Sequence, residues 1–161
     1  MSETPSERLR DLGLTLPPPS DPVGSYAPVV VVHGIAWVAG QIVTANGKAL
    51  HPGPVDQVVG VSTAQEVARL ATLQALSALA AALGSIDRIR RVVRVGVYVW
   101  ASPGFERPQE VANGASDLIV RLFGETGRPT RVAMGVAALP LGAPVEVELT
   151  VAVGEGDDGP D

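Results

Sequence analysis

Cysteine is absent from the 161 residues, which excludes disulfides, a thiolate nucleophile and cysteine metal sites, and is compatible with a reducing cytosol. Aromatic side chains make up only 4% of the chain, so the adjacent aromatics that stack single-stranded nucleic acid are missing. Charge is sparse at 18% and sums to -5 at pH 7. That balance works against a polyanion, whose phosphates need clustered Lys and Arg to displace counterions; no nucleic acid partner is expected. No window holds the roughly 18 consecutive apolar residues of a membrane span, and Met1-Ser2-Glu3-Thr4-Pro5 is not a basic region leading into an apolar run. The expectation is a cytoplasmic protein with no membrane partner. Two histidines, His33 and His51, lie far apart without a third ligand at suitable spacing, so no metal site is expected and both read as surface or packing residues.

What is present is aliphatic. Hydrophobic residues reach 46%, mostly Val, Ala and Leu, with a mean hydropathy of +0.26. The length suits one domain with one core, and the excess of apolar residues over what a small monomer needs points to surface covered by partners.

Thr4-Pro5 opens a short amphipathic helix over residues 2–12 that carries Leu9 and Leu12. Pro17 to Pro22 is too poor in backbone donors for helix or sheet and reads as an extended connector. Val29 to His33 and Ile35 to Ala39 are β-rich runs split by Gly34, a hairpin pattern. Gln41 to Gly53 contains Asn46-Gly47 and Pro52-Gly53 and is a loop or a second short hairpin. A long helix is predicted over Ser62 to Leu83, capped by Ser62 or Thr63 with Glu66 at capping-box distance, stopped by Gly84, and exposing Glu66, Arg69, Thr72 and Ser77. Val92 to Trp100 alternates as a strand, Pro108 to Phe123 reads as a helix stopped by Gly124, and strands follow over Arg131 to Val136 and Val145 to Val153. The tail from Gly154 is Gly- and Asp-rich and is expected to be disordered.

Two helices can cover only one side of such a sheet. The other side, to which Arg94, Tyr98, Trp100, Glu146 and Glu148 are assigned, must meet either water or another subunit. The apolar composition favours the subunit.

Several motifs in order resemble a known family: Gly24-Ser25-Tyr26 before the first strand, Ala39-Gly40-Gln41-Ile42 after the second, and Arg131 through Leu139-Pro140 to Val145-Glu146-Val147-Glu148. Together they look like the RidA/YjgF/YER057c/UK114 superfamily. Val111-Ala112-Asn113-Gly114-Ala115-Ser116-Asp117-Leu118 and Phe123-Gly124-Glu125 resemble its YjgF-like, chorismate-mutase-like, endoribonuclease-named branch. The resemblance spans residues 24–153, leaving 1–23 as an N-terminal helix and extended arm and 154–161 as a tail. It implies an α+β, chorismate-mutase-like fold of the bacillary type, with two helices on one face of the sheet. It further implies a homotrimer with a central barrel, ligand clefts between subunits and no cofactor.

In archetypal members the activity is hydrolysis of 2-imino or enamino acids to 2-keto acids and ammonia. By that resemblance Arg131 grips the substrate carboxylate, to which a planar guanidinium offers two parallel donors. Glu146 orients or activates water, Tyr26 closes the cleft, and Gly40, Asn113 and Ala133 line it. Two positions depart from the archetype: Ala133 stands where Cys is common, and Ala39 where a small hydroxyl residue precedes Gly-Gln. Both put the hydrolysis in doubt more than the carboxylate binding.

Other readings remain open. Arg131 can instead bridge to Glu146 or Glu148, and Asn113 can be a helix-start residue. The protein can be a non-catalytic trimer that binds a small carboxylate as a sensor or partner. An endoribonuclease lacks its histidine pair here, and a chorismate mutase would need more cations than Arg131 and Arg94 supply.

Overall fold

The computed structural model describes residues 3–154. Thr4 caps helix α1 (Pro5–Asp11) through a reciprocal capping box with Glu7. Strands β1 (Val29–Val32) and β2 (Ile35–Gln41) form a hairpin. Its turn is His33-Gly34, both at positive φ (48° and 72°), the geometry that matches the twist of the flanking strands. A small hairpin, β3 (Thr44–Ala45) and β4 (Lys48–Ala49), closes around Asn46-Gly47 in the same way. Helix α2 (Val61–Leu83), strand β5 (Ile89–Trp100), helix α3 (Pro108–Phe123), and strands β6 (Thr130–Val136) and β7 (Val145–Val153) complete the fold.

The main sheet runs β1-β2-β7-β5-β6. The last strand slots into the middle, antiparallel to both β2 and β5, while β5 and β6 are parallel and joined through α3. Side chains alternate along β7: Val145, Val147, Leu149, Val151 and Val153 are buried, and Glu146, Glu148, Thr150 and Ala152 face the other way. Val95, Val97 and Val99 of β5 share the buried side. Against it lie Ala64, Val67, Ala71, Leu76 and Leu79 of α2 and Val111, Ala115, Ile119 and Leu122 of α3. The mixed α+β architecture and the order of the long elements agree with the expectation from sequence.

Alanine lets α2 lie flat on the sheet, and glycine does the same between the helices. A Cβ on Gly114 would sit 2.0 Å from the Gln65 carbonyl oxygen, and the Gln65 amide donates to the Glu110 carbonyl at 2.7 Å. The first turn of α2 and the middle of α3 are thus in backbone contact.

Two expectations for α2 are corrected. The helix starts one residue earlier, with Gly60 as N-cap and no side-chain cap, because Ser62 and Thr63 already have helical backbone. Glu66 pairs instead with Arg69. Thr72 and Ser77 are buried, not exposed. The Thr72 hydroxyl donates to the Ala68 carbonyl and that of Ser77 to the Pro17 carbonyl, so burial leaves neither group unpaired. Helix α2 is long and apolar enough to cross a membrane, but 61% of its apolar stretch is buried inside the fold, as in a core helix.

The N-terminal arm is bound to the body. Leu9 is in the core, Arg8 Nη1 donates to the Leu122 carbonyl, and the backbone and hydroxyl of Ser6 both donate to Asp87. Apart from Gly154, the tail expected to be disordered lies outside the described residues.

Candidate functional site

The six residues singled out in the sequence fall into two groups. On edge strand β6, Arg131 is the register partner of Val95 and Ala133 that of Val97, so both point to the helix-covered side. There Arg131 Nη1 donates to Asn113 Oδ1 at 2.8 Å and to Ser116 Oγ at 3.0 Å. Ala133 packs against the rim of the core. The guanidinium is exposed, and its Nε and Nη2 edge bonds to no described residue. A shallow depression of about 290 Å³ surrounds it, lined by Asn113, Ser116, Asp117, Arg128 and Pro129 among others.

Asn113 is therefore not a helix-start residue. It stands inside α3 with its carbonyl oxygen aimed at Arg131. Ser116, one turn on, was missed in the sequence; its spacing of three from Asn113 on a helix was the available signal. The alternative in which Arg131 bridges to Glu146 or Glu148 is not found within the protomer, where Glu148 pairs with Arg94.

The second group gathers on the open face and its margin. The β2–β7 register slips between Val38 and Gln41, a bulge that turns Ala39 and Gly40 outward together. Gly40 then faces Glu146 so closely that a Cβ would lie 1.9 Å from Glu146 Oε1. Any larger residue there would displace the carboxylate from this position. Glu146 is half-buried and receives no hydrogen bond from a described residue. Burial first, and the neighbouring Glu148 charge second, push its pKa above the usual carboxylate value, since each disfavours the ionised form.

Tyr26, half exposed, joins Gly40, Gln41, Ile42, Pro140 and Leu141 around a cleft of about 420 Å³, with residues 20–23 of the arm on its far wall. That volume falls in the range of small-molecule sites, about 300–1,000 Å³. Gln41 is buried, its amide donating to the Ala39 carbonyl at 3.0 Å, which braces the bulge.

Arg131 and Glu146 thus lie on opposite sides of one sheet. Glu146 is the cross-strand partner of Tyr98, whose side chain is on the open face, whereas Arg131 is in register with the buried Val95. His33 and His51 are exposed in separate turns, and no group of three metal-binding side chains occurs among the described residues.

Comparison with known proteins covers nearly the whole chain. Residues 6–152 match the profile of the family described as "YjgF/chorismate mutase-like, putative endoribonuclease". Protein TCP17 of Trypanosoma cruzi is 42% identical over 144 residues, 89% of this chain and 90% of that protein. Among solved structures, the protein Atu1372 of unknown function from Agrobacterium tumefaciens is 36% identical, with a TM-score of 0.83 over 93% of this chain and 92% of that one. A Shewanella oneidensis protein named "putative endoribonuclease" is 31% identical and has a TM-score of 0.89, covering 94% of this chain and all of that one. On the ordered motifs, the sheet with its two helices and these matches, the chain belongs to the YjgF/chorismate-mutase-like family.

Proposed function

We propose that the protein binds small carboxylate metabolites in clefts between the subunits of a homotrimer, and that it hydrolyses 2-imino or enamino acids there to 2-keto acids and ammonia. The observation that carries this reading is the split site. An arginine with a free bidentate edge stands on one side of the sheet, and an unpaired carboxylate with a raised pKa stands on the other. A second copy of the chain is what would bring the two onto one ligand. The open face supports such an assembly: Val30, Val32, Trp37 and Met134 are each between 44% and 48% exposed on it, an apolar surface that water solvates poorly.

In this reading Asn113 and Ser116 hold Arg131 by one nitrogen, leaving its other edge to donate two parallel hydrogen bonds to the substrate carboxylate. Glu146 of the adjoining subunit takes a proton from water as the oxygen bonds to the imine carbon. It passes that proton to the nitrogen to give the carbinolamine, then takes the new hydroxyl's proton and delivers it to the amino group as the C–N bond breaks, the carbonyl forms and ammonia leaves. A carboxylate whose pKa is raised holds a proton more readily than an ordinary one, which suits a group that must take and return protons. Tyr26 closes the cleft. The endoribonuclease in the family description has less support in this chain, because the two histidines occupy separate exposed turns and the net charge is -5.

The test is an amino-acid oxidase that generates imines, with semicarbazide trapping what remains. Faster imine loss with the protein present supports the enzyme. The non-catalytic binder is favoured by one observation, the absence of polar groups at Ala39 and Ala133. Unchanged imine loss across several side chains, with 2-oxobutanoate still bound, would establish that reading instead.

A further inference from the structure

Two carboxylates stand two residues apart on the open face of β7, and their surroundings differ. Glu148 Oε1 accepts from the Arg94 guanidinium and from the Tyr98 hydroxyl, the latter at 2.9 Å. Glu146, directly across from Tyr98, accepts from no described residue. Gly96 makes the clearing for Glu148, as Gly40 does for Glu146: a Cβ at residue 96 would lie 2.7 Å from Glu148 Oε1 and 2.8 Å from its Cγ. A side chain there would force the Glu148 carboxylate to shift from the position in which it meets its two donors.

We propose that Arg94, Tyr98, Gly96 and Glu148 form a clamp that keeps Glu146 unpaired, making them positioning residues for Glu146. This rests on the reading of Glu146 as the group that moves the proton. Arg94 and Tyr98 are the cation and the hydroxyl donor that β5 turns to this part of the face. The neighbouring strands bring no titratable side chain to it: β2 supplies Trp37 and Gly40, and β6 supplies Val132 and Met134. Released from Glu148, the Tyr98 hydroxyl would turn to Glu146 directly across from it, and the Arg94 cation, four positions along the face, would no longer be offset by a carboxylate; both favour the ionised form of Glu146, which carries no proton. Glu148 occupies both donors. Its remaining charge lies two residues along the strand, roughly 7 Å away, and acts on Glu146 in the opposite sense to a cation.

The experiment is a pH titration of the full chain with 13C-labelled glutamate, following the Glu146 side-chain carboxyl carbon, assigned by its loss in Glu146→Gln. Glu148→Gln removes the repulsion and frees Arg94, so the Glu146 midpoint drops by about one pH unit. Arg94→Gln removes the cation and leaves the repulsion, so the midpoint rises. Shifts of opposite sign support the clamp; should one variant fail to fold, the sign given by the other decides. An unmoved midpoint, or shifts of the same sign, overturns it. Because the titration is read on the resting protein, a lack of imine hydrolysis alongside opposite shifts would defeat the catalytic reading alone.

Discussion

Gly114→Ala tests the packing on which the position of α3, and hence of Asn113 and Ser116, depends. The new methyl would be 2.0 Å from the Gln65 carbonyl oxygen and 2.7 Å from its carbon. These are backbone atoms that cannot rotate away, so α2 and α3 must part by on the order of 1 Å to restore an ordinary contact. Overpacking of this kind costs about 1–3 kcal/mol, and a backbone obstacle puts the cost at the upper end. Parting the helices also strains the Gln65 bond to Glu110, worth about 1 kcal/mol. Alanine returns about 1 kcal/mol through helix propensity. The balance is a loss of roughly 2–3 kcal/mol, which for a chain of this length lowers Tm by about 4–12 °C. The assay is thermal unfolding followed by circular dichroism, beside a Gly135→Ala control, where nothing lies within 4 Å of the added carbon. A Gly114→Ala protein that melts with the wild type or above it would refute the reasoning.

Three further outcomes follow from the same contacts. Arg131→Ala should fold and assemble as the wild type does while losing 2-oxobutanoate binding in calorimetry, and Arg131→Lys should bind more weakly than the wild type because a point charge cannot make two parallel bonds. The raised pKa of Glu146 means that ionising it costs more in the folded chain than in the unfolded one, so the wild type loses stability as pH rises from the ordinary carboxylate value through the raised one. Urea unfolding should therefore show Glu146→Gln gaining on the wild type from pH 4 to pH 7, and no gain would contradict the shift. Ser77→Ala removes the hydroxyl donated to the Pro17 carbonyl, which should cost about 1 kcal/mol and speed proteolysis of the arm within residues 18–27.

Alternation and turn chemistry made most of the fold readable. The bounds of α3 and β7 agree with the valine periodicity and the flanking Pro108 and Gly124, because local signals and tertiary packing agree there. Helix α2 was harder to read. Thr72 and Ser77 look like a polar stripe, but each hydroxyl has a backbone carbonyl in reach, one from its own helix and one from the arm, and the second cannot be inferred from residues 60 apart. The site was legible as a set of residues and not as a geometry. Arg131 and Glu146 each sit in an alternating strand. Alternation along β7 placed Glu146 on the open face, where the structure has it, whereas the side that Arg131 faces depends on the register of β6 against β5, which periodicity does not encode. The steric roles of Gly40 and Gly96 were hidden for the same reason, since the side chains that need those clearings come from another strand.

Subunit complementation tests the shared cleft most directly. Arg131→Ala and Glu146→Gln proteins, each inactive alone, are unfolded together in equal amounts and refolded. If every cleft takes its arginine from one subunit and its glutamate from the next, random mixing makes about one quarter of the clefts whole, and imine hydrolysis returns to about that fraction of the wild-type rate. Mixed oligomers that form and stay inactive, or a wild-type protein that is active as a monomer, would contradict the account.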